Sequence, residues 1–211
     1  MIPYGCQYID DEDIDAVVHA LKSNLITQGP IVENFEDNIK KYTDSKFCLS
    51  VNSATSALHI TYLALGLGKG KELWTSPNTF VATTNAAMFC NATIDFVDID
   101  PRTYCLDVNA LEQKLQKHKN EGKKLPHIVT AVHFAGQSCN MQKIFELSRL
   151  YNFYVVEDAS HAIGGLYLNK KIGSCSFSDA CIFSFHPVKI ITTGEGGAIT
   201  TNSLEIYENI K

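Results

Sequence analysis

A chain of 211 residues that is 45% hydrophobic and 19% charged is long and apolar enough to bury one domain-sized core, which argues against intrinsic disorder. A formal net charge of −5, with no extended basic run, argues against a non-specific electrostatic hold on nucleic acid or anionic lipid. No apolar run approaches the ~20 residues of a membrane-spanning helix, and Met1 to Gly5 lack the pattern of a secretory leader, so a cytoplasmic protein without a membrane span is expected.

Asp10 to Lys22 starts with acids and carries Ile14, Val17, Val18 and Leu21 at helical spacing, predicting an amphipathic helix. After Gly29-Pro30 a second helix presents Val32, Phe35, Ile39 and Tyr42 on one face. The chain then alternates. Apolar runs of strand length (47–51, 72–75, 93–97, 127–132, 153–156 and 180–185) are mostly separated by helical segments (54–65, 79–90, 108–117 and 141–151). Near-continuous apolar strands alternating with helices predict an α/β fold, a three-layer α/β/α arrangement around a mostly parallel sheet. The seven cysteines form no CxxC pair and sit mostly in apolar stretches, as buried thiols in a reducing compartment do.

In such sheets, ligands gather at the carboxyl ends of strands. That rule selects Asn52 to Thr55, Ser76 to Phe80, His133-Phe134, Asp158 to His161 and Ser184 to Lys189. Asn52 to Ala57 joins a strand to a helix, so Ser53, Ala54 and Thr55 either cap that helix in the ordinary way or cradle a phosphate at its N-terminus, with Ser184 as a second hydroxyl. Lys189 stands where an apolar strand breaks into the glycine-rich run Thr192 to Gly197; desolvation there favours the neutral, nucleophilic amine, against the alternative of a surface lysine. Asp158 ends another buried strand and either caps a turn or faces a protonated pyridine nitrogen. Its neighbour Glu157 is the rival, and strand alternation allows only one of them to face the site. Phe80 reads as core or as a stacking platform, His161 as a core histidine or a cofactor contact, and His186 as a core histidine. Gly66 to Gly70 fits neither a dinucleotide fingerprint nor a phosphate loop, and there is no HExxH or GxSxG.

In order and spacing, Asn52 to Leu58, Ser76 to Thr83, Glu157 to Ala162 and Ser184 to Gly197 resemble the nucleotide-sugar aminotransferases of the DegT/DnrJ/EryC1/StrS family, fold-type-I enzymes that use pyridoxal 5'-phosphate. The resemblance runs from Tyr4 to the last residue, and its wording is most similar to aminotransferases of the pseudaminic acid pathway. It implies amination of a UDP-linked 4-keto-6-deoxy amino sugar, with glutamate as donor. It also implies that Lys189 carries the cofactor as a Schiff base and then moves the substrate proton. Asp158 would pair with the pyridine nitrogen, Phe80 would stack on the ring, and His161 would lie near the ring hydroxyl. Ser53, Ala54, Thr55 and Ser184 would hold the phosphate. Tyr4 and the segment Asn24, Leu25, Ile26 and Thr27 would touch the nucleotide sugar.

The same resemblance implies an N-terminal arm and helix over 1–30, a large cofactor-binding domain over 31–211, a homodimer, and a small C-terminal domain that this chain lacks. Two alternatives follow: a catalytically incomplete fragment that at most binds the cofactor or dimerises, and a sugar dehydratase of the same family. Those dehydratases carry histidine in place of the Schiff-base lysine, so Lys189 argues against the second.

Overall fold

The computed structural model describes residues 5–211. The first helix, α1 (Asp11–Lys22), opens on a capping box in which the Asp10 side chain accepts the Asp13 N–H and the Asp13 side chain accepts the Asp10 N–H. Its apolar stripe is present as the spacing predicts, but none of its residues is buried. The second helix, α2 (Pro30–Thr43), starts with proline at its first position, where the missing N–H costs nothing. From there the order is β1 (Phe47–Val51), α3 (Ala54–Ala64), β2 (Glu72–Thr75), α4 (Ala82–Phe89), β3 (Thr93–Phe96), α5 (Val108–Asn120), β4 (Ile128–Val132), α6 (Met141–Tyr151) and β5 (Tyr154–Asp158). A small hairpin of β6 (Leu166–Tyr167) and β7 (Lys170–Lys171) precedes β8 (Ala180–Ser184), β9 (Gly197–Thr201) and α7 (Leu204–Ile210).

Seven strands form one sheet in the order β1-β9-β8-β5-β4-β2-β3. The strands from β3 to β8 pair in parallel, whereas β9 is antiparallel to both β8 and β1. The connection between β8 and β9 contains no helix to carry the chain back along the sheet, so the returning strand must run the other way. All residues of β4, β8 and β9 are buried. Strand alternation splits the core: Ile128, Val156 and Ile182 pack with Leu58 and Ala86 of α3 and α4, while Val129, Ala131 and Val155 pack with Leu111, Leu115 and Ile144 of α5 and α6. The result is the three-layer α/β/α arrangement around a mostly parallel sheet. Among the described residues, no helix is long and apolar enough to cross a membrane.

Some boundaries differ from the sequence pattern. The helix expected over 79–90 begins only at Ala82, because Thr79 and Phe80 stay in the loop and the Thr79 hydroxyl turns in to meet Thr83 at 2.8 Å. β5 extends through Glu157 and Asp158, since pairing with Ala131 and Val132 carries the ladder past the end of the apolar run. β9 has no periodic signature of its own, and it is a strand because β1 and β8 bracket it.

Candidate active site

At the carboxyl edge of the parallel strands lies a cavity of about 420 Å³, within the range of small-molecule sites. Its wall takes residues from the ends of β1, β2, β4, β5 and β8, the five positions that the strand-end rule selects.

On one side the mouth of α3 supplies Ser53, Ala54 and Thr55. The Ser53 side chain caps the helix by accepting the Ser56 N–H at 3.2 Å, and its hydroxyl also meets that of Ser56 at 3.1 Å. Helix geometry leaves the first-turn amides without intrahelical acceptors, so this corner carries donors and the positive end of the helix dipole. Gly197 at the start of β9 is pressed against it: a Cβ there would fall 2.6 Å from the Ser53 carbonyl carbon and 2.7 Å from the Ala54 nitrogen. Because Gly197 pairs with both Val51 and Ser184, the same close approach brings the end of β8 beside the α3 mouth, where Ser184 also lines the cavity. Ser53, Ala54 and Thr55 from one segment and Ser184 from another thus line the same side of the cavity, at a helix N-terminus suited to an anion.

Asp158 lies in the cavity wall and is only 5% exposed. One carboxylate oxygen accepts the Ser160 hydroxyl at 2.7 Å and the Ser160 N–H at 3.2 Å, and the other accepts the Thr83 hydroxyl at 2.9 Å. A carboxylate offers about four acceptor sites, so these three donors leave room for one more. Glu157 points to the opposite face of the sheet, where it bonds His133 and Ser178. Alternation therefore decides between the two acids in favour of Asp158 at the cavity.

Lys189 rides on the long loop between β8 and β9, which folds back through Lys189 N–H to His186 O (2.9 Å) and Phe185 N–H to Gly196 O (2.9 Å). Its ammonium nitrogen lies 2.9 Å from Nε2 of His161, and both residues line the cavity. Loss of solvent pulls the Lys189 pKa below the usual lysine value, against the upward pull of the Asp158 charge. His161 is likewise lowered, first by loss of solvent and then by the Lys189 charge, while Asp158 again opposes. Phe80 lines the cavity and is 73% exposed, so it is not a core residue.

The structure thus brings Ser53, Ala54, Thr55, Phe80, Asp158, His161, Ser184 and Lys189 around one cavity. It does not bring the expected sugar-contacting segment there: Asn24, Leu25, Ile26 and Thr27 form an exposed stretch between α1 and α2, outside the cavity wall. Tyr4 lies outside the described residues. Two residues without an assigned role in the sequence reading also stand at the site. Thr83 braces Asp158, and His133 borders the cavity. The helical spacing of Thr79 and Thr83 is visible in the sequence, but the bond from Thr83 to a carboxylate 75 positions away is not.

Comparison with known proteins agrees with this geometry. The profile of the DegT/DnrJ/EryC1/StrS aminotransferase family matches residues 7–211. A UDP-4-amino-4,6-dideoxy-N-acetyl-beta-L-altrosamine transaminase from Campylobacter jejuni subsp. jejuni serotype O:23/36 (strain 81-176) is 44% identical over 211 residues, which is 100% of this chain and 54% of that protein. Among solved structures, Helicobacter pylori PseC, an aminotransferase involved in the biosynthesis of pseudoaminic acid, superposes with a TM-score of 0.89 at 36% identity, over 99% of this chain and 54% of its own. The PLP form of Spr1654, a candidate sugar aminotransferase from Streptococcus pneumoniae, superposes with a TM-score of 0.87 at 28% identity, over 99% of this chain and 56% of its own. The chain therefore spans about half the length of the relatives it matches. Because the family profile matches residues 7–211, nearly the whole chain, the chain belongs to the DegT/DnrJ/EryC1/StrS aminotransferase family.

Proposed function

We propose that this chain is the cofactor-binding part of a pyridoxal 5'-phosphate-dependent aminotransferase acting on a UDP-linked 4-keto-6-deoxy amino sugar, with glutamate as amino donor. The observation that carries the reading is the opening of Lys189 and Asp158 into one cavity, with an anion-sized corner of donors at the mouth of α3. The residues fit the cofactor. Ser53, Ala54, Thr55 and Ser184 match its phosphate, and the unfilled acceptor site on Asp158 matches a protonated ring nitrogen. Exposed Phe80 offers an aromatic face at the cavity, and offset stacking on such a face is worth about 1 kcal/mol. The specific sugar rests on the Campylobacter relative and on PseC.

When bound, pyridoxal phosphate supplies an aldehyde that condenses with amines and a ring that takes up the electron pair released as a neighbouring C–H bond breaks. The chain's own residues do the rest. Asp158, held by Thr83 and Ser160, presents a fixed anion that keeps a proton on the ring nitrogen. The partly desolvated Lys189 keeps a larger neutral fraction than a surface lysine, so its amine can take a proton from substrate and return it. Nε2 of His161, 2.9 Å away, hydrogen-bonds that amine and orients it. Residues 1–30 are read as an arm and helix and 31–211 as the cofactor-binding unit, with a homodimer proposed for the full-length protein.

The test is direct. Purified protein mixed with pyridoxal phosphate should turn yellow, and borohydride should fix the cofactor covalently to the peptide containing Lys189, as read by mass spectrometry. Absence of any adduct at Lys189 under saturating cofactor rules the reading out.

A further inference from the structure

The adjacent acids Glu157 and Asp158 end one strand yet serve different faces, and only Asp158 has a place in the reading above. Glu157 is 5% exposed and absent from the cavity wall; it sits opposite Ala131, whose side chain packs on the α5–α6 side of the sheet. Its Oε2 accepts from Nε2 of His133 at 2.7 Å and its Oε1 from the Ser178 hydroxyl at 2.5 Å. His133 is fully buried, and its Nδ1 accepts the Cys139 N–H at 3.2 Å. An imidazole nitrogen that accepts an N–H carries no proton, so the ring's hydrogen sits on Nε2 and points at Glu157. Both ring nitrogens are thereby committed to protein groups. Although His133 borders the cavity, its ring has no hydrogen bond left to offer a ligand, which removes it from the candidates for acid or base.

His133 instead grips the tip of β5 twice. Its main-chain N–H donates to the Asp158 carbonyl at 3.0 Å, one step beyond the last ladder pair of Val132 with Asp158. Its ring holds the carboxylate of the residue before. The turn that follows is pressed on the next part of the site: Ala135 and Gly136 both take positive φ, and a Cβ on Gly136 would fall 2.9 Å from the His161 carbonyl oxygen. A buried hydrogen-bonded pair of this kind resists displacement, because breaking it strands a buried polar group away from water.

We propose that the His133–Glu157 pair is the positioning device for Asp158, fixing the end of β5 from the far face of the sheet so that the Asp158 carboxylate meets its ligand at one place. Its link to a cofactor rests on the function proposed above, while its link to the backbone does not. His133 and Glu157 are positioning residues here, acting through Asp158.

Two measurements test the pair. In cofactor-free protein, Glu157→Leu should speed hydrogen exchange at the His133 amide at least tenfold, because that amide bonds Asp158. Glu157→Gln, whose amide can still accept from His133 and donate to Ser178, should leave it within threefold. Unchanged exchange in folded Glu157→Leu overturns the proposal. Should that variant not fold, His133→Gln is read at the amide of residue 133 in the same way.

Affinity for pyridoxal 5'-phosphate, read by fluorescence titration, should fall at least tenfold in Glu157→Leu. It should change by less than threefold when the same substitution is made in an Asp158→Asn background, the non-additivity expected of residues acting in series. Additive losses would make the pair a fold element only and overturn the proposal. If Asp158→Asn itself leaves affinity unchanged, the functional reading of Asp158 fails, and the exchange measurement alone decides the positioning role.

Discussion

The Lys189 amine lies 2.9 Å from Nε2 of His161, two residues brought together from the loops after β8 and β5. Both are held below their ordinary pKa values mainly by loss of solvent, and the Asp158 charge pulls each of them upward. The pair is thus biased toward a neutral imidazole that accepts a hydrogen from Lys189 and toward an amine that surrenders its proton below the usual lysine range. His133, His186 and Glu195 border the same cavity.

Amine reactivity follows from this bias. Acylation of Lys189 in cofactor-free protein, followed peptide by peptide, should reach half its maximal rate at a pH below the ordinary lysine value. The sign for stability is the same. Between the depressed folded value and the ordinary lysine value the unfolded chain binds more protons, so folding stability rises with pH across that window and carries the full penalty below it. Lys189→Met should flatten that alkaline rise in urea midpoints. An equally steep rise in the variant would show that Lys189 is not its source.

Substitutions at the two chemical residues should separate by kind. If the proposed function holds, Lys189→Ala should abolish transamination in any active form of the protein, a loss of about 10³-fold or more, since it would remove the group proposed to move the proton. On the same reading, Asp158→Asn should reduce turnover by about 10²-fold while retaining some bound cofactor, because the Ser53-capped mouth of α3, the proposed phosphate contact, is untouched. Steady-state rates with glutamate and a keto-sugar nucleotide decide this. Parental turnover in Lys189→Ala would refute the assignment.

Gly197→Ala tests the close approach of β9 to the α3 mouth. The added methyl meets backbone atoms of Ser53 and Ala54 at 2.6 and 2.7 Å, and backbone cannot swing aside as a flexible side-chain tip can. Overpacking of this kind costs about 1–3 kcal/mol. A matching drop in urea-derived stability, together with weaker binding of inorganic phosphate, is the expected result. Stability within error of the parent would mean that the β9 start and the helix mouth separate easily.

Much of the frame was legible beforehand because it rests on local pattern. The runs at 47–51 and 72–75 became β1 and β2 with the same bounds, and the segment 141–151 became α6. Strand alternation foretold that Glu157 and Asp158 would part to opposite faces. What stayed hidden depends on partners distant in sequence. β9 is a five-residue segment whose strand character comes from β1 and β8. The late start of α4 comes from a loop that turns the Thr79 hydroxyl inward to Thr83, which in turn bonds Asp158.

By itself the sequence determined the periodicities, the helix caps and the types of chemical group at each strand end, since these are properties of neighbouring residues. Tertiary structure alone decided that β9 runs antiparallel, that the loop after β8 folds Lys189 back over the sheet edge to meet His161, and that His133 reaches Glu157 beneath Asp158. The reason is physical: distances between segments dozens of residues apart are set by how the sheet closes its buried hydrogen bonds, and local pattern carries no record of that closure.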